Sequence, residues 1–382
     1  MSPDRSFKYQ MVDTPFALEQ IAGSFSRRKV VAVDLESDSM HHYREKVCLL
    51  QIADESVCAV IDPLKLNDLS PLKPLFSNPA IQKVFHGADY DIRSLYRDFN
   101  IDIENLFDTE LASRFVGHGE SGLEAVLLKR FDVQLNKKFQ RRDWSIRPLS
   151  DEMIEYAAKD VYYLIPLAER LKSELEAQGR HGWVEEECLN LSRVRAVQSN
   201  GFPLFLKCKG SGRLEPRRLA VLESLLQLRE KIAAKKDRPL YQVFRNDSLF
   251  RIASMEKIDL SSLAEAGALS AKQIDMYGSS LVKAAQAALS LSENQLPTYP
   301  RKPVRNMGYA VRRRMKSLST WRNKRAHRLG LDPAILLTKA QMASIAQVFP
   351  RDPIDLKRVA ELKNWQRKAF GKEIVQVLNE PD

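Results

Sequence analysis

The run Val30-Val31-Ala32-Val33-Asp34-Leu35-Glu36 limits this chain more than any other stretch, because it is almost wholly apolar and then ends in two carboxylates. A strand that is apolar on both faces must be covered on both. Such a run reads as a buried central strand of a sheet, as found in the α/β class. Residues two apart on a strand share a face, so Asp34 and Glu36 project together at the end of that buried strand. Carboxylates gathered out of water repel one another, and a cation is what offsets them. An Asp-x-Glu pair alone is commonly a solvated strand end; the apolar run before it makes this pair informative.

Two further segments carry acids in suggestive places. In Lys83-Val84-Phe85-His86-Gly87-Ala88-Asp89-Tyr90-Asp91-Ile92-Arg93-Ser94-Leu95, a short strand passes through Gly87 into a helix. A carboxylate at such a junction lies at the mouth of an α/β sheet, where ligands bind. Asp91 begins the apolar helix spacing Ile92-x-x-Leu95, which favours it over Asp89. The segment 151–161 has neither Gly nor Pro and reads as helix, so Tyr156 and Asp160, four apart, share one face. Taken alone, Tyr-x-x-x-Asp is commonly a surface pair.

The stretches Val33-Asp34-Leu35-Glu36, Val84-Phe85-His86-Gly87-Ala88-Asp89-Tyr90-Asp91, and Asp143-Trp144-Ser145-Ile146-Arg147-Pro148-Leu149 leading into Tyr156-Ala157-Ala158-Lys159-Asp160 occur in one order. In that order and spacing they resemble the ribonuclease D branch of the 3′–5′ exonucleases, which carry four acidic ligands. The resemblance implies a ribonuclease H-like mixed sheet flanked by helices. It implies that Asp34, Glu36, Asp91 and Asp160 hold two divalent cations, and that Tyr156 helps orient the attacking water. It also implies release of 5′-mononucleotides from RNA with a free 3′ end, with tRNA precursors or other structured RNA as substrates.

The residue types agree with that chemistry. Mg²⁺ and Mn²⁺ favour carboxylate oxygen, whereas Zn²⁺ recruits Cys or His. Paired cations can stabilise both the entering and the leaving oxygen of an in-line displacement at phosphorus. A related subfamily has His where Glu155 stands, so the tyrosine type is expected. A tyrosine pKa of about 10 keeps Tyr156 protonated at neutral pH, which argues against its being the base. The same acids would serve a DNA 3′ exonuclease, since no contact to a 2′-hydroxyl can be picked out. A catalytically silent RNA-binding scaffold would keep the same fold. Around Asp34-Leu35-Glu36 and His86-Gly87-Ala88-Asp89 the chain also resembles the nuclear exosome-associated relative.

Other residues near these motifs have two readings each. His86 is placed to touch substrate or to be a hydrogen-bonded structural histidine. The stretch Asn136-Lys137-Lys138-Phe139-Gln140-Arg141-Arg142-Asp143-Trp144 interleaves cations with aromatics, a mix suited to phosphate pairing and base stacking. Lys138, Arg141, Arg142 and Trp144 are therefore candidate RNA contacts, against the alternative of a solvated loop. Asp108, in Leu106-Phe107-Asp108-Thr109, is expected to cap the following helix.

A net charge of +11 over 382 residues favours polyanionic partners. Cys48, Cys58, Cys188 and Cys208 have neither metal-ligand spacing nor the pattern of a disulfide framework. No stretch approaches 18 uninterrupted apolar residues, and residues 1–6 lack an apolar core, so no membrane association is expected and the cytoplasm is the expected compartment.

After about residue 190 the strand-like runs stop and leucine- and alanine-rich helical spacing takes over. Gly201-Phe202-Pro203 through Gly210-Ser211-Gly212 reads as a hinge, and Pro297 to Pro303 as a stiff, extended break. These flank a repeat with a period of 93 residues: Arg229 returns as Arg322, Ile252-Ala253 as Ile345-Ala346, Leu263 as Leu356, Gln273 as Gln366, and Tyr277-Gly278 as Phe370-Gly371. Three domains are expected, the nuclease over 1–195 and two all-α helical bundles over 213–292 and 308–380. Each bundle resembles the helicase-and-RNase-D C-terminal domain (HRDC). Between Asn294 and Leu331 there is no Asp or Glu, while 11 Lys or Arg residues occur. Arg312, Arg313 and Arg314 are the centre of this expected RNA-contacting surface.

Overall fold

A computed structural model describes residues 8–117, 119–195, 201–300 and 307–380. Their packing divides into two compact units. The described residues of 1–37, 47–196 and 306–382 form one, and those of 38–46 with 197–305 form the other.

The first unit is built on a six-stranded sheet: β1 (Tyr9–Val12), β2 (Val30–Ser37), β3 (Val47–Ala53), β4 (Cys58–Ile61), β5 (Gln82–Phe85) and β6 (Leu106–Asp108). Their order is β1-β4-β3-β2-β5-β6. β2 runs antiparallel to β3 and parallel to β5; β3 and β4 are antiparallel, and the outer pairs β1–β4 and β5–β6 are parallel. This is the mixed sheet with flanking helices that the resemblance implied. β2 is central, and Val31, Ala32 and Val33 are fully buried, as its composition required. All of β3 is buried too, including the polar Gln51.

The helix Asp151–Tyr162 starts where the local sequence favours a start. Ser150 accepts from the Met153 amide, and Asp151 and Glu152 lie in the first turn, where negative charge suits the helix dipole. Its buried face (Ala157, Ala158, Val161) packs across β2, β3 and β4, and that packing delivers Tyr156 and Asp160 to the sheet.

The repeat is real in three dimensions. Helices Pro216–Lys236, Asn246–Ala253 and Ala271–Leu289 return as Tyr309–Leu329, Lys339–Val348 and Asn364–Asn379, each beginning 93 residues later. The internal hydrogen bonds return as well. Arg229 donates to the Phe244 carbonyl (3.1 Å) and Arg322 to the Leu337 carbonyl (3.0 Å). Gln273 donates to the Val243 carbonyl (2.8 Å) and Gln366 to the Leu336 carbonyl (2.7 Å). Each pair of donors and acceptors keeps the same offset, so the recurring polar residues tie each bundle together from within.

The two bundles belong to different units. The second shares one continuous apolar core with the nuclease sheet, whereas the first has a core of its own. Segment 201–212, expected as a hinge, instead packs onto that first bundle: Phe205 is buried, and Ser211 donates to the Phe205 and Cys208 carbonyls. Two short 3₁₀ turns let its apolar residues reach the core, which periodicity could not foretell. Residues 297–300 of the expected break are described; the rest, 301–303, lies outside the described residues. Among the described residues, no helix is long and apolar enough to cross a membrane.

Candidate active site

β2 presents Asp34 and Glu36 on one face, as the alternation of a strand requires. Asp160 descends on them from the Asp151–Tyr162 helix. Potential ligand oxygens of Asp34, Glu36 and Asp160 all lie within 4.8 Å of one another. Asp91 sits in the first turn of the Asp89–Phe99 helix, buried; its carboxyl feels the charge of Asp34, and Glu36 feels the charge of Asp91. Asp89 turns outward into an ion pair with Arg93 (2.9 Å). So Asp91, and not Asp89, faces the other acids.

Burial pushes the Asp34 carboxyl up to about 7. Burial, and then the charge of Asp34, pushes Asp160 up to about 8. Glu36 and Asp91 are raised well above the ordinary carboxylate range by burial and by their acidic neighbours. The Tyr156 hydroxyl donates to Asp160, and burial followed by the surrounding negative charge raises its pKa further, so the phenol stays protonated.

The donor set therefore fits a hard divalent cation. It is all carboxylate oxygen, gathered in a partly desolvated site where the unneutralised charges oppose one another. Directly across the ladder from Asp34, the amide of Gln51 is fully buried with no hydrogen-bond partner for either polar atom. Sequence reasoning missed it, since one glutamine in an apolar strand carries no motif.

Asp108 does more than the expected cap. Its carboxylate accepts from the Glu110 and Leu111 amides (2.8 and 3.1 Å) and also from the Gly87 and Ala88 amides (3.0 and 2.9 Å). It thereby clamps the turn that aims the Asp91 helix, a turn in which Gly87 adopts φ +78°.

The candidate RNA contacts divide. Trp144 is corrected: at 1 % exposure it cannot stack on a base, and it lies instead against the Tyr156 ring (centroids 6.1 Å apart). Phe139, also buried, packs on the same ring at 5.7 Å. The aromatics of this loop thus point inward and its cations outward. Arg141 and Arg142 are exposed, and Lys138 is exposed but pairs with Glu152 (2.6 Å). His86 is tied to Thr109 at 2.9 Å. The Thr109 hydroxyl gives its own proton to the Phe85 carbonyl, so the histidine Nδ1 is the donor. Burial holds the imidazole below its ordinary pKa, which is the structural reading of that residue.

On the second bundle, a groove of about 900 Å³ runs along the Tyr309–Leu329 helix, lined by Arg312, Arg313, Lys316, Lys324 and Arg328 among others. Arg314 is corrected, because its guanidinium lies on the Phe349 ring (3.4 Å) and donates to the Ala346 carbonyl, serving the bundle rather than the groove. Arg322 is spent on the Leu337 carbonyl, and Arg325 pairs with Glu373 (3.2 Å). Arg301, Lys302 and Arg305 lie outside the described residues. Part of the acid-free charge run is therefore internal architecture.

Comparison with known proteins fits this geometry. The sequence profile of a 3′–5′ exonuclease family matches residues 9–176, and that of the HRDC domain matches twice, over 218–284 and 311–378. Ribonuclease D of Escherichia coli is 30 % identical over 290 residues, covering 76 % of this chain and 77 % of that protein. A crystal structure of the E. coli RNase D, described as an exoribonuclease involved in structured RNA processing, superimposes with a TM-score of 0.74 at 26 % identity and covers 97 % of this chain and 99 % of that one. Exosome complex component 10 of Mus musculus is 33 % identical over 58 % of this chain and 26 % of its own length, consistent with the second resemblance. With two acids on β2, two more brought to them by helices, and the paired bundles that follow in sequence, these likenesses leave one assignment: the chain belongs to the ribonuclease D family of 3′–5′ exoribonucleases.

Proposed function

We propose that the protein shortens RNA from a free 3′ end, releasing 5′-mononucleotides, with Asp34, Glu36, Asp91 and Asp160 holding Mg²⁺ or Mn²⁺. The observation that carries this reading is the convergence of Asp34, Glu36 and Asp160 within 4.8 Å, with the buried Asp91 beside them. When bound, divalent cations would neutralise this cluster and favour charge developing on the entering and leaving oxygens of a phosphodiester. Tyr156, held protonated, donates to Asp160 and acts as an orienting group for the carboxylate and for water, not as the base. Arg141 and Arg142 outside the site, and Arg312 and Arg313 in the groove of the second bundle, meet the backbone of the RNA body through phosphate pairing. The description of the E. coli relative supports structured RNA as the substrate class, with tRNA precursors as the first example to try. Four buried cysteines, none of them in a disulfide, support a reducing compartment, the cytoplasm.

The test is a time course on 5′-labelled single-stranded RNA with Mg²⁺ or Mn²⁺, beside EDTA and Asp34→Ala controls. A ladder that shrinks from the 3′ end and disappears in both controls is expected. A matched DNA 3′ end separates the sugar preference, and RNA that is bound but never shortened would replace this reading with a scaffold.

A further inference from the structure

We propose that Arg147 is a positioning residue for Tyr156, acting from the far side of the loop that carries Phe139 and Trp144. The inference rests on the exonuclease reading above for its kinetic consequence, though not for its geometry.

The Arg147 guanidinium is saturated. Nε and Nη2 fork onto the two oxygens of Asp62, each at 2.8 Å. Nη2 also donates to the Cys48 carbonyl on β3 (2.9 Å), and Nη1 donates to the carbonyls of Trp144 (2.7 Å) and Ile146 (3.0 Å). Asp62 is 1 % exposed and follows β4 directly. One side chain therefore fastens an irregular loop to two strands of the central sheet. Between the helices Leu123–Phe131 and Asp151–Tyr162 the loop has no regular structure of its own, so this anchor decides where Trp144 lies.

Trp144 in turn decides where Tyr156 lies. Its ring is tilted 34° to the tyrosine ring, and Phe139 meets that ring edge-on at 73°. A helical tyrosine at the rim of a sheet can adopt more than one rotamer; two buried aromatics against its ring leave one. The selected rotamer is the one whose hydroxyl reaches Asp160. The order of influence is Asp62, Arg147, Trp144, Tyr156, Asp160, and only the last two belong to the reacting site. A lysine could keep the charge of Arg147 but not the planar fork that satisfies Asp62 and three carbonyls at once.

The experiment uses the full chain and compares wild type, Arg147→Lys, Tyr156→Phe and the double variant on 5′-labelled single-stranded RNA. Arg147→Lys is expected to lower kcat by about 10- to 100-fold, the cost of a misplacement of roughly 1 Å, with KM within about twofold of wild type. The double variant should be no slower than Tyr156→Phe alone, because the two residues act along one line. Losses that multiply in the double variant would overturn the proposal. A second readout is independent of activity: ¹⁹F NMR of 3-fluorotyrosine protein, with the Tyr156 resonance assigned by its loss in Tyr156→Phe. That resonance should shift or broaden in Arg147→Lys, and an unmoved resonance would overturn the proposal. Should Arg147→Lys fail to fold, Trp144→Phe breaks the same ring packing and is read in the same way. An inactive wild type with the expected ¹⁹F shift would sink the exonuclease reading while leaving the brace intact.

Discussion

Asp34 and Asp160 bind their protons more tightly when folded than when unfolded, with carboxyls pushed from an ordinary 3.8 to about 7 and about 8. Between about pH 4 and 8 the folded chain therefore holds more protons than the unfolded one, so in metal-free protein their contribution to stability is lost as pH rises through that window. The melting temperature in EDTA should fall from pH 5 to pH 8.5. Saturating Mg²⁺, or Asp160→Asn, should flatten the curve; a flat curve in EDTA would contradict the clustering of charge. Asp160→Asn should also cut the exonuclease rate by about a hundredfold or more, since changing residues that only support a metal ligand already costs about 10- to 100-fold. These acids are legible in the sequence because a buried strand ending in carboxylates is chemically anomalous. Trp144 is not, for the opposite reason: an aromatic in a basic stretch looks the same whether its ring faces solvent or the core.

Elements here are held in place by single polar side chains that take several partners. Asp108 accepts from four amides across two elements, and replacing it by alanine should cost about 2–3 kcal/mol, because buried N–H groups are left without a partner as well as a cap being lost. Chemical denaturation of Asp108→Ala checks this, and activity should fall with it as the turn ahead of Asp91 loosens. The Tyr309–Leu329 helix divides its cations by face. Arg312→Ala with Arg313→Ala should lower the slope of log K against log salt for RNA by about 1.4, at about 0.7 for each phosphate no longer neutralised. Arg314→Ala should leave that slope unchanged and lower the melting temperature, since its guanidinium lies on Phe349. A salt-dependence series on all three variants distinguishes these outcomes. The period of 93 exposes the helices and their internal donors in advance, because a repeated domain repeats its hydrogen bonds as well as its apolar positions.

Across the first unit, the second bundle is docked on the nuclease by a compact set of interactions. The Glu186 carboxylate accepts from the Asn364 and Trp365 amides, both at 2.8 Å, and so caps the last helix from another domain. Glu187 accepts from the Trp365 indole (2.8 Å) and pairs with Lys363. Trp183 and Trp365 stack at 4.8 Å beside them, and Arg180 donates to the Leu329 carbonyl (2.8 Å). Changing Glu186 and Glu187 together to glutamine should weaken the docking by roughly 1–3 kcal/mol, the worth of charge-assisted hydrogen bonds. Hydrogen exchange should then rise selectively within 309–379 while β2 and β3 stay protected; a uniform rise would mean that the bundle is not a separately docked piece. None of these docking residues belongs to a motif, and no periodicity joins Glu186 to Asn364. What could be read from the chain alone were features with a local physical cause: the period of a strand or helix, an acid at the end of an apolar run, and a domain written twice. Which bundle shares the nuclease core, which cations face solvent, and how Arg147 reaches Tyr156 depend on residues far apart in sequence, and only folding brings their side chains within range of one another.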